Sequence, residues 1–424
     1  MYLARIVHIT TTAPAVCAAI LAASLSAACG NYTHTTRAAR DEYYSGKCAE
    51  AAERLKKGAD EEGKDQLLYL FDRATALHCA GQYEEAIKEF RRADKLADIS
   101  DYTSLSKEAA TLVTNDKIIQ YKGEDFEKVL INQFLAMDYL MLGNLEDAQV
   151  ENRRVNRKLY LMITEGKRKY KLNPMAKYLS ALIYESEGHY NDAYIDYKAV
   201  YELAPDLPYL REDLWRGAWK SGMHEDMERW ATTFGLTPAD TKAIQAAAKR
   251  PEIVMLLEVG QAPEKVPHPN WRALPKFVPR NNPVVYADIE VEGLVPNRSH
   301  LLFDVEGTAI KDLDEKFAGL IAKRVGGVVV KEVIADQVGR QTDPILGQLL
   351  RFGMHAADQA DLRSWQTLPQ NFQVFRGRVD AGKAYKIKIL PRDGGGATQG
   401  AETEKVVQVP GGASTKVFVP VRIY

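Results

Sequence analysis

"GQYEEAIKEF", residues 81–90, decides the reading of the first half of this chain, because its pattern recurs. The related segments are "GKCAEAAERL" (46–55), "GNLEDAQVEN" (143–152) and "GHYNDAYIDY" (188–197), with a degenerate "GMHEDMERWA" from Gly222. In the first four, an alanine stands five places after the glycine: Ala51, Ala86, Ala148 and Ala193. Leu55, Phe90 and Tyr197 are bulky residues nine places after it. The glycines are spaced by 35, 62, 45 and 34 residues. Two of these intervals match a helical-hairpin repeat, and the other two call for insertions near residues 99–125 and 156–172.

The pattern has a packing rationale. Glycine allows the tight turn between two antiparallel helices, alanine lets the helix backbones approach, and Pro205 ends the fourth unit because it cannot donate a backbone bond. The segments resemble the tetratricopeptide (TPR) repeat, so an α-helical TPR-like solenoid is expected over residues 29–250. In that resemblance the first helix of each pair lines a concave groove. Here it carries Leu130, Met137, Leu140, Met141, Met175, Tyr178 and Leu182. Methionine adapts to irregular partners, so these residues are expected either to receive a partner segment or to be covered in cis. "RRVNRKLYLMITEGKRKYK" (153–171), with eight Lys/Arg against one Glu, suits an anionic surface or a solvated helix face.

The N-terminus reads as an export signal, with Arg5 ahead of an apolar stretch from Ala15 to Leu25 and the small residues Ser26, Ala27 and Ala28. That stretch is shorter than the roughly 20 apolar residues a membrane span takes. Cys29 follows directly, and the run resembles the lipobox of bacterial lipoproteins, although Ser26 stands where leucine is usual. The resemblance implies removal of residues 1–28, acylation of Cys29 and membrane attachment through lipid. With Gly30 rather than aspartate next, it points to the outer membrane facing the periplasm. Plain cleavage with a free Cys29 thiol is the alternative.

Export would place Cys48 and Cys79 in an oxidising compartment. Cys48 lies two residues after Gly46 and Cys79 two before Gly81, which brings the start of one helix beside the end of its antiparallel neighbour. A Cys48–Cys79 disulfide is therefore expected, against the alternative of two buried thiols.

Near residue 251 the texture changes. "PEIVMLLEVGQAPEKVPHP", "NPVVYADIEVEGL", "SHLLFDVEG", "FQVFRGRVDAGKAYKIKIL", "EKVVQVP" and "TKVFVPVRIY" read as strands. Helical patterns occupy Ala309–Val325 and Gly326–Met354, and a hairpin is expected to turn at Asp380–Lys383. Residues 251–424 are expected to form an α+β domain with a largely antiparallel sheet. In "DLRSWQTLPQNF" (361–372), Arg363 and Trp365 suit either an exposed recognition pair or a tryptophan filling a sheet–helix seam beside an Arg363–Asp361 ion pair.

The 424 residues are 46% hydrophobic and 27% charged, with formal net charge −1, which excludes a disordered chain and offers no electrostatic footprint for nucleic acid. The sequence has no nucleophile elbow, H-E-x-x-H helix, Walker loop or dinucleotide fingerprint, so no cofactor is expected. Glu124, Asp125 and Glu127 in "GEDFEKVL" suit acid/base catalysis or, more simply, a helix start. "YKGEDFEKVL" (121–130), "MLLEVGQAPEK" (255–265) and "ADLRSWQTLP" (360–369) together resemble a little-characterised family of bacterial TPR-containing envelope lipoproteins. Members are sometimes encoded near a lipoprotein activator of a penicillin-binding protein. The resemblance implies an envelope adaptor and brings no catalytic residues. An envelope carbohydrate hydrolase and a purely structural envelope subunit are the other readings.

Overall fold

The computed structural model describes residues 32–97, 120–164, 173–322, 360–412 and 415–424. Cys29, the helix expected over Gly326–Met354 and much of the two expected insertions lie outside the described residues. A lead-in of α1 (Tyr32–Thr35) and α2 (Arg37–Tyr44) is followed by α3 (Cys48–Asp60), α4 (Gln66–Cys79), α5 (Tyr83–Leu96) and α6 (Asp125–Met141). Then come α7 (Leu145–Thr164), α8 (Pro174–Ser186), α9 (Tyr190–Leu203), α10 (Leu210–Lys220), α11 (His224–Phe234) and α12 (Pro238–Ala247). Successive helices pack as antiparallel hairpins, α4 on α5, α6 on α7, α8 on α9 and α10 on α11.

The repeat glycines close these hairpins in one way. Gly46, Gly81, Gly143, Gly188 and Gly222 all have φ between 71° and 80°, the left-handed region that side chains disfavour. In each case the next amide bonds back to a carbonyl of the preceding helix, as in Gln82 N to Leu77 O at 2.9 Å and His189 N to Tyr184 O at 2.8 Å. This pattern caps the helix carbonyls that would otherwise lack partners. Ala51, Ala86, Ala148 and Ala193 are buried at the helix contacts, as are Leu55, Phe90 and Tyr197.

The C-terminal half is a two-layer β domain. One sheet runs β10–β1–β7–β6, from β1 (Glu252–Val259), β6 (His300–Asp304), β7 (Asn371–Arg378) and β10 (Lys416–Ile423). The other runs β5–β4–β8–β9, from β4 (Tyr286–Val291), β5 (Asn297–Arg298), β8 (Ala384–Arg392) and β9 (Thr403–Gln408). β2 (Glu264–Pro267) and β3 (Pro275–Val278) form a separate hairpin, and residues 305–322 are helical (α13). The sheets are mainly antiparallel, but β1 and β10 pair in parallel. The hairpin expected at Asp380–Lys383 does not form. β7 and β8 belong to different sheets, and the link between them crosses from one layer to the other.

β1 explains the arrangement, because all eight of its residues are buried. Ile253, Met255, Leu257 and Val259 face the second sheet, while Val254 and Leu256 join the core of the helical half. One sheet thus has two covered faces, against the other sheet and against the solenoid. The outer strand β10 carries Pro420, whose carbonyl accepts from Lys405 Nζ of the outer strand β9 at 2.8 Å, so these two edges are blunted against further pairing.

Cys48 and Cys79 are joined, with Sγ atoms 2.00 Å and Cα atoms 5.8 Å apart, tying the start of α3 to the end of α4. In the chain-entropy model a bridge closing this loop stabilises by about 3–4 kcal/mol. The Cys48→Ser, Cys79→Ser double variant should therefore lose about that much stability in guanidinium unfolding under non-reducing conditions, and the wild type should fall to the same level with reductant. Equal unfolding midpoints with and without reductant would refute the contribution.

Candidate functional site

The groove expected to receive a partner is closed by the protein's own C-terminal half. Met137, Met175, Tyr178 and Leu182 are fully buried and Leu130 and Leu140 nearly so, while Met141 packs at the margin of the same core. The apolar character of these positions is spent in cis. Arg363 and Trp365 likewise do not form an exposed recognition pair. The Trp365 ring stacks on Phe71 of α4 with centroids 4.3 Å apart and lies 5.5 Å from Phe134 of α6. Arg363 bonds Asp361 Oδ2 at 2.7 Å and Asp65 Oδ1 at 2.8 Å, joining the strap of residues 361–369 to the helical half.

The strap is irregular, so no ladder satisfies its backbone. Solenoid carboxylates do so instead. Asp72 Oδ1 accepts the amides of Gln366 and Thr367, each at 3.1 Å, and the Thr367 hydroxyl at 2.9 Å. Glu127 Oε1 accepts Trp365 N at 2.7 Å, while its Oε2 accepts Tyr121 Oη at 2.6 Å and Glu124 N at 2.8 Å. Burial raises the pKa of both carboxyls, and the donated hydrogen bonds oppose that shift by favouring the ionised form.

Two further clusters join β1 to the helices. Arg376 of β7 bonds Glu252 Oε2 of β1 at 2.9 Å, Asp213 Oδ2 of α10 at 2.6 Å and Tyr178 Oη of α8 at 2.5 Å. Arg216 pairs with Asp213 and Glu185, Lys416 with Glu252 and Glu185, and Arg378 with Glu252 at 3.4 Å, so four cations meet three carboxylates. His78 of α4 lies between Asp138 of α6 (2.5 Å) and Glu258 of β1 (2.8 Å). Burial alone would depress the His78 pKa, but the two carboxylates overrule it and raise it to about 10, which keeps an imidazolium in the seam.

The "GEDFE" carboxylates are committed to the same boundary. Glu124 caps α6 and meets Lys265 at 2.5 Å, and Asp125 meets Lys316 of α13 at 2.9 Å. Burial opposes ionisation of Glu124, yet the neighbouring lysines hold it down to about 2. Burial and the adjacent Glu124 charge raise Glu127 to about 7. Among the described residues, no group of three or more His, Cys, Asp or Glu side chains is placed to hold a metal ion. Nor is any described helix long and apolar enough to cross a membrane.

A cleft of about 450 Å³ opens where α6–α9 meet β6 and α13. Phe126, Val129, Leu159 and Leu203 form its helical wall, consecutive residues 301–304 of β6 a second, and Thr308, Lys311 and Glu315 of α13 a third. None of these was singled out from the sequence except as part of a strand or helix. The available signal was "SHLLFD", whose Leu301 remains more than half exposed at 56%.

The closed hairpins and their left-handed glycines define a TPR-like helical repeat protein carrying a two-sheet β domain. No family model and no curated protein matches the chain. Residues 41 to the end of MamA from Desulfovibrio magneticus RS-1 align at 15% identity, covering 51% of this chain and 98% of that one, with a TM-score of 0.34. A putative kinesin light chain of Podosopora anserina with nearly identical TPR-like repeats aligns at 16% identity over 50% and 93%, with a TM-score of 0.31. The Rap conjugation gene regulator of plasmid pLS20, solved with the Phr* peptide, aligns at 11% identity over 77% and 73%, with a TM-score of 0.29. At such scores the repeat assignment rests on the chain's own turn geometry.

Two outcomes follow from the seam. Arg376→Met leaves Asp213 and Glu252 with less compensation and should cost about 3–5 kcal/mol in chemical denaturation. Adding Asp213→Leu should recover part of that loss, and a single-variant cost below about 1 kcal/mol would show that the cluster does not hold the halves together. The His78 pKa is raised in the folded state, so its contribution is complete below its unfolded value near 6.5 and is lost as pH rises through about 10. The stability difference between wild type and His78→Gln should therefore shrink across that window. A difference independent of pH would contradict the buried imidazolium.

Proposed function

We propose that this protein is an exported, lipid-anchored adaptor of a bacterial cell envelope, a rigid TPR-type body that holds together components of peptidoglycan synthesis, secretion or polysaccharide machinery. The observation that carries the export reading is the Cys48–Cys79 disulfide, because such bridges persist in oxidising compartments and are rare in the cytosol. It agrees with Cys29 standing directly after a signal-like stretch. The adaptor reading draws on the helical repeats, a fold that presents surfaces to other proteins. With the concave face occupied, the partner surface lies elsewhere, and the cleft beside β6 is an open concave feature among the described residues. The carbohydrate-hydrolase reading depends on Glu124, Asp125 and Glu127, each of which already faces a lysine or a strap amide.

The test has two arms. Cys29→Ala should leave the protein unprocessed or release it into the soluble periplasmic fraction, and a processed variant still anchored by lipid would refute the anchor. Crosslinking in living cells should return a reproducible envelope partner. A deletion strain with altered envelope mechanics and no such partner would favour the purely structural reading.

A further inference from the structure

We propose that the cleft beside β6 is a docking site for an extended peptide segment of another protein, which adds to β6 as a further strand and places an apolar side chain in the cavity. The inference rests on the adaptor reading and names the chemistry of its partner.

Three observations converge on it. First, among the described residues β6 is the end strand of the order β10–β1–β7–β6 and pairs on one side, with β7. An antiparallel ladder uses alternate backbone groups, so an end strand turns the remaining N–H and C=O groups towards its open side. Second, four consecutive residues, 301–304, border the cleft. The cavity touches residues on both sides of the register shift between Leu301 and Phe303, so it follows this stretch of the strand. Third, the helical wall facing that edge is apolar, from Phe126, Val129, Leu159 and Leu203, while the α13 wall is polar, from Thr308, Lys311, Asp312 and Glu315, and the volume of about 450 Å³ falls within the size of ligand-binding pockets.

Together these are the two components of strand addition: main-chain hydrogen bonds for affinity and a pocket for alternate side chains for specificity. The other sheet ends lack the combination. β10 and β9 are blunted by Pro420 and Lys405, and the short β5 borders no described cavity. Charge adds a preference. Asp304, at the end of β6, is an exposed carboxylate bordering the cleft, and its Oδ1 accepts Gly307 N at 2.9 Å. A lysine or arginine flanking the apolar residue would complement it. The register shift between Leu301 and Phe303 re-aims side chains at this point, as bulges beside binding sites do.

The test uses the full-length disulfide-bonded protein and an array of end-blocked nonapeptides. Each has Leu, Ile or Phe at its centre with alternating flanks of Ser, Thr or Lys, and binding is read by fluorescence anisotropy. Selected peptides should bind, and N-methylation of alternate amides in one register should weaken them about tenfold or more while methylation in the other register does little. Thr308→Trp, which fills the cavity, should weaken the same peptides at least as much with an unchanged circular dichroism spectrum and melting temperature. The proposal is overturned if no array peptide binds below about 1 mM, or if neither change affects binding. It is also overturned if crosslinking places another segment of the same chain in the cleft. Should Thr308→Trp still capture the cellular partner fully, the cleft assignment fails and the adaptor reading stands; if neither form captures one, the adaptor reading fails as well.

Discussion

Everything in the fold depends on how an irregular strap can be buried in a helical groove. A backbone amide taken out of water without a partner is destabilising by several times the net worth of a typical hydrogen bond, and residues 361–369 have no ladder to supply partners. Asp72 and Glu127 solve this from the solenoid side. They receive the amides of residues 365, 366 and 367, while Trp365 fills the space between Phe71 and Phe134. Polar satisfaction and aromatic packing act on one short segment, so neither half of the protein is complete without the other.

The same constraint accounts for the odd composition of β1. A strand buried on both faces is expected to be a continuous apolar run, yet "EIVMLLEV" carries Glu252 and Glu258. Both sit on the solenoid-facing side of the strand, where Arg376, Lys416 and His78 meet them. Ion pairs of this kind add little over well-packed apolar groups, and removing one member leaves a stranded charge. Their effect is then on register. A one-residue slip of β1 would turn both glutamates into the apolar core that includes Ala287, Ile289 and Ile387.

Local rules made the helical half legible. A glycine, an alanine five residues on and a bulky side chain nine residues on specify a hairpin because every interaction lies within about 35 residues, and the five turns adopt the conformation that glycine permits. The neighbouring helices that bring Cys48 to Cys79 follow from the same register. Of what joins the halves, the Trp365 seam and the Arg363–Asp361 pair were among the readings of the sequence, but the remaining partners were not, since Asp72 meets Thr367 and His78 meets Glu258 across separations that no periodicity encodes. The turn at Asp380–Lys383 shows the limit plainly. Its residues have hairpin chemistry, but Phe375 and Tyr385 face each other across two layers of one core, so the chain changes sheets there. The methionine-rich first helices fit either a foreign or a cis occupant equally well, because an apolar face carries no label for what covers it.

Closure of the concave face has a consequence for how such a protein recognises anything else. A groove filled by a rigid strap cannot be vacated without exposing Trp365, stranding Asp72 and Glu127, and separating the Arg376 cluster, a combined loss far larger than a peptide's binding free energy. Recognition must then use features that exist while the halves stay docked. The helices supply a fixed frame, the β domain supplies an edge strand, and the junction supplies a cavity that neither could form alone. On this argument the repeats act less as a binding groove than as a mould that holds β6 and α13 at a set distance, which is the arrangement the proposed docking at the seam calls for.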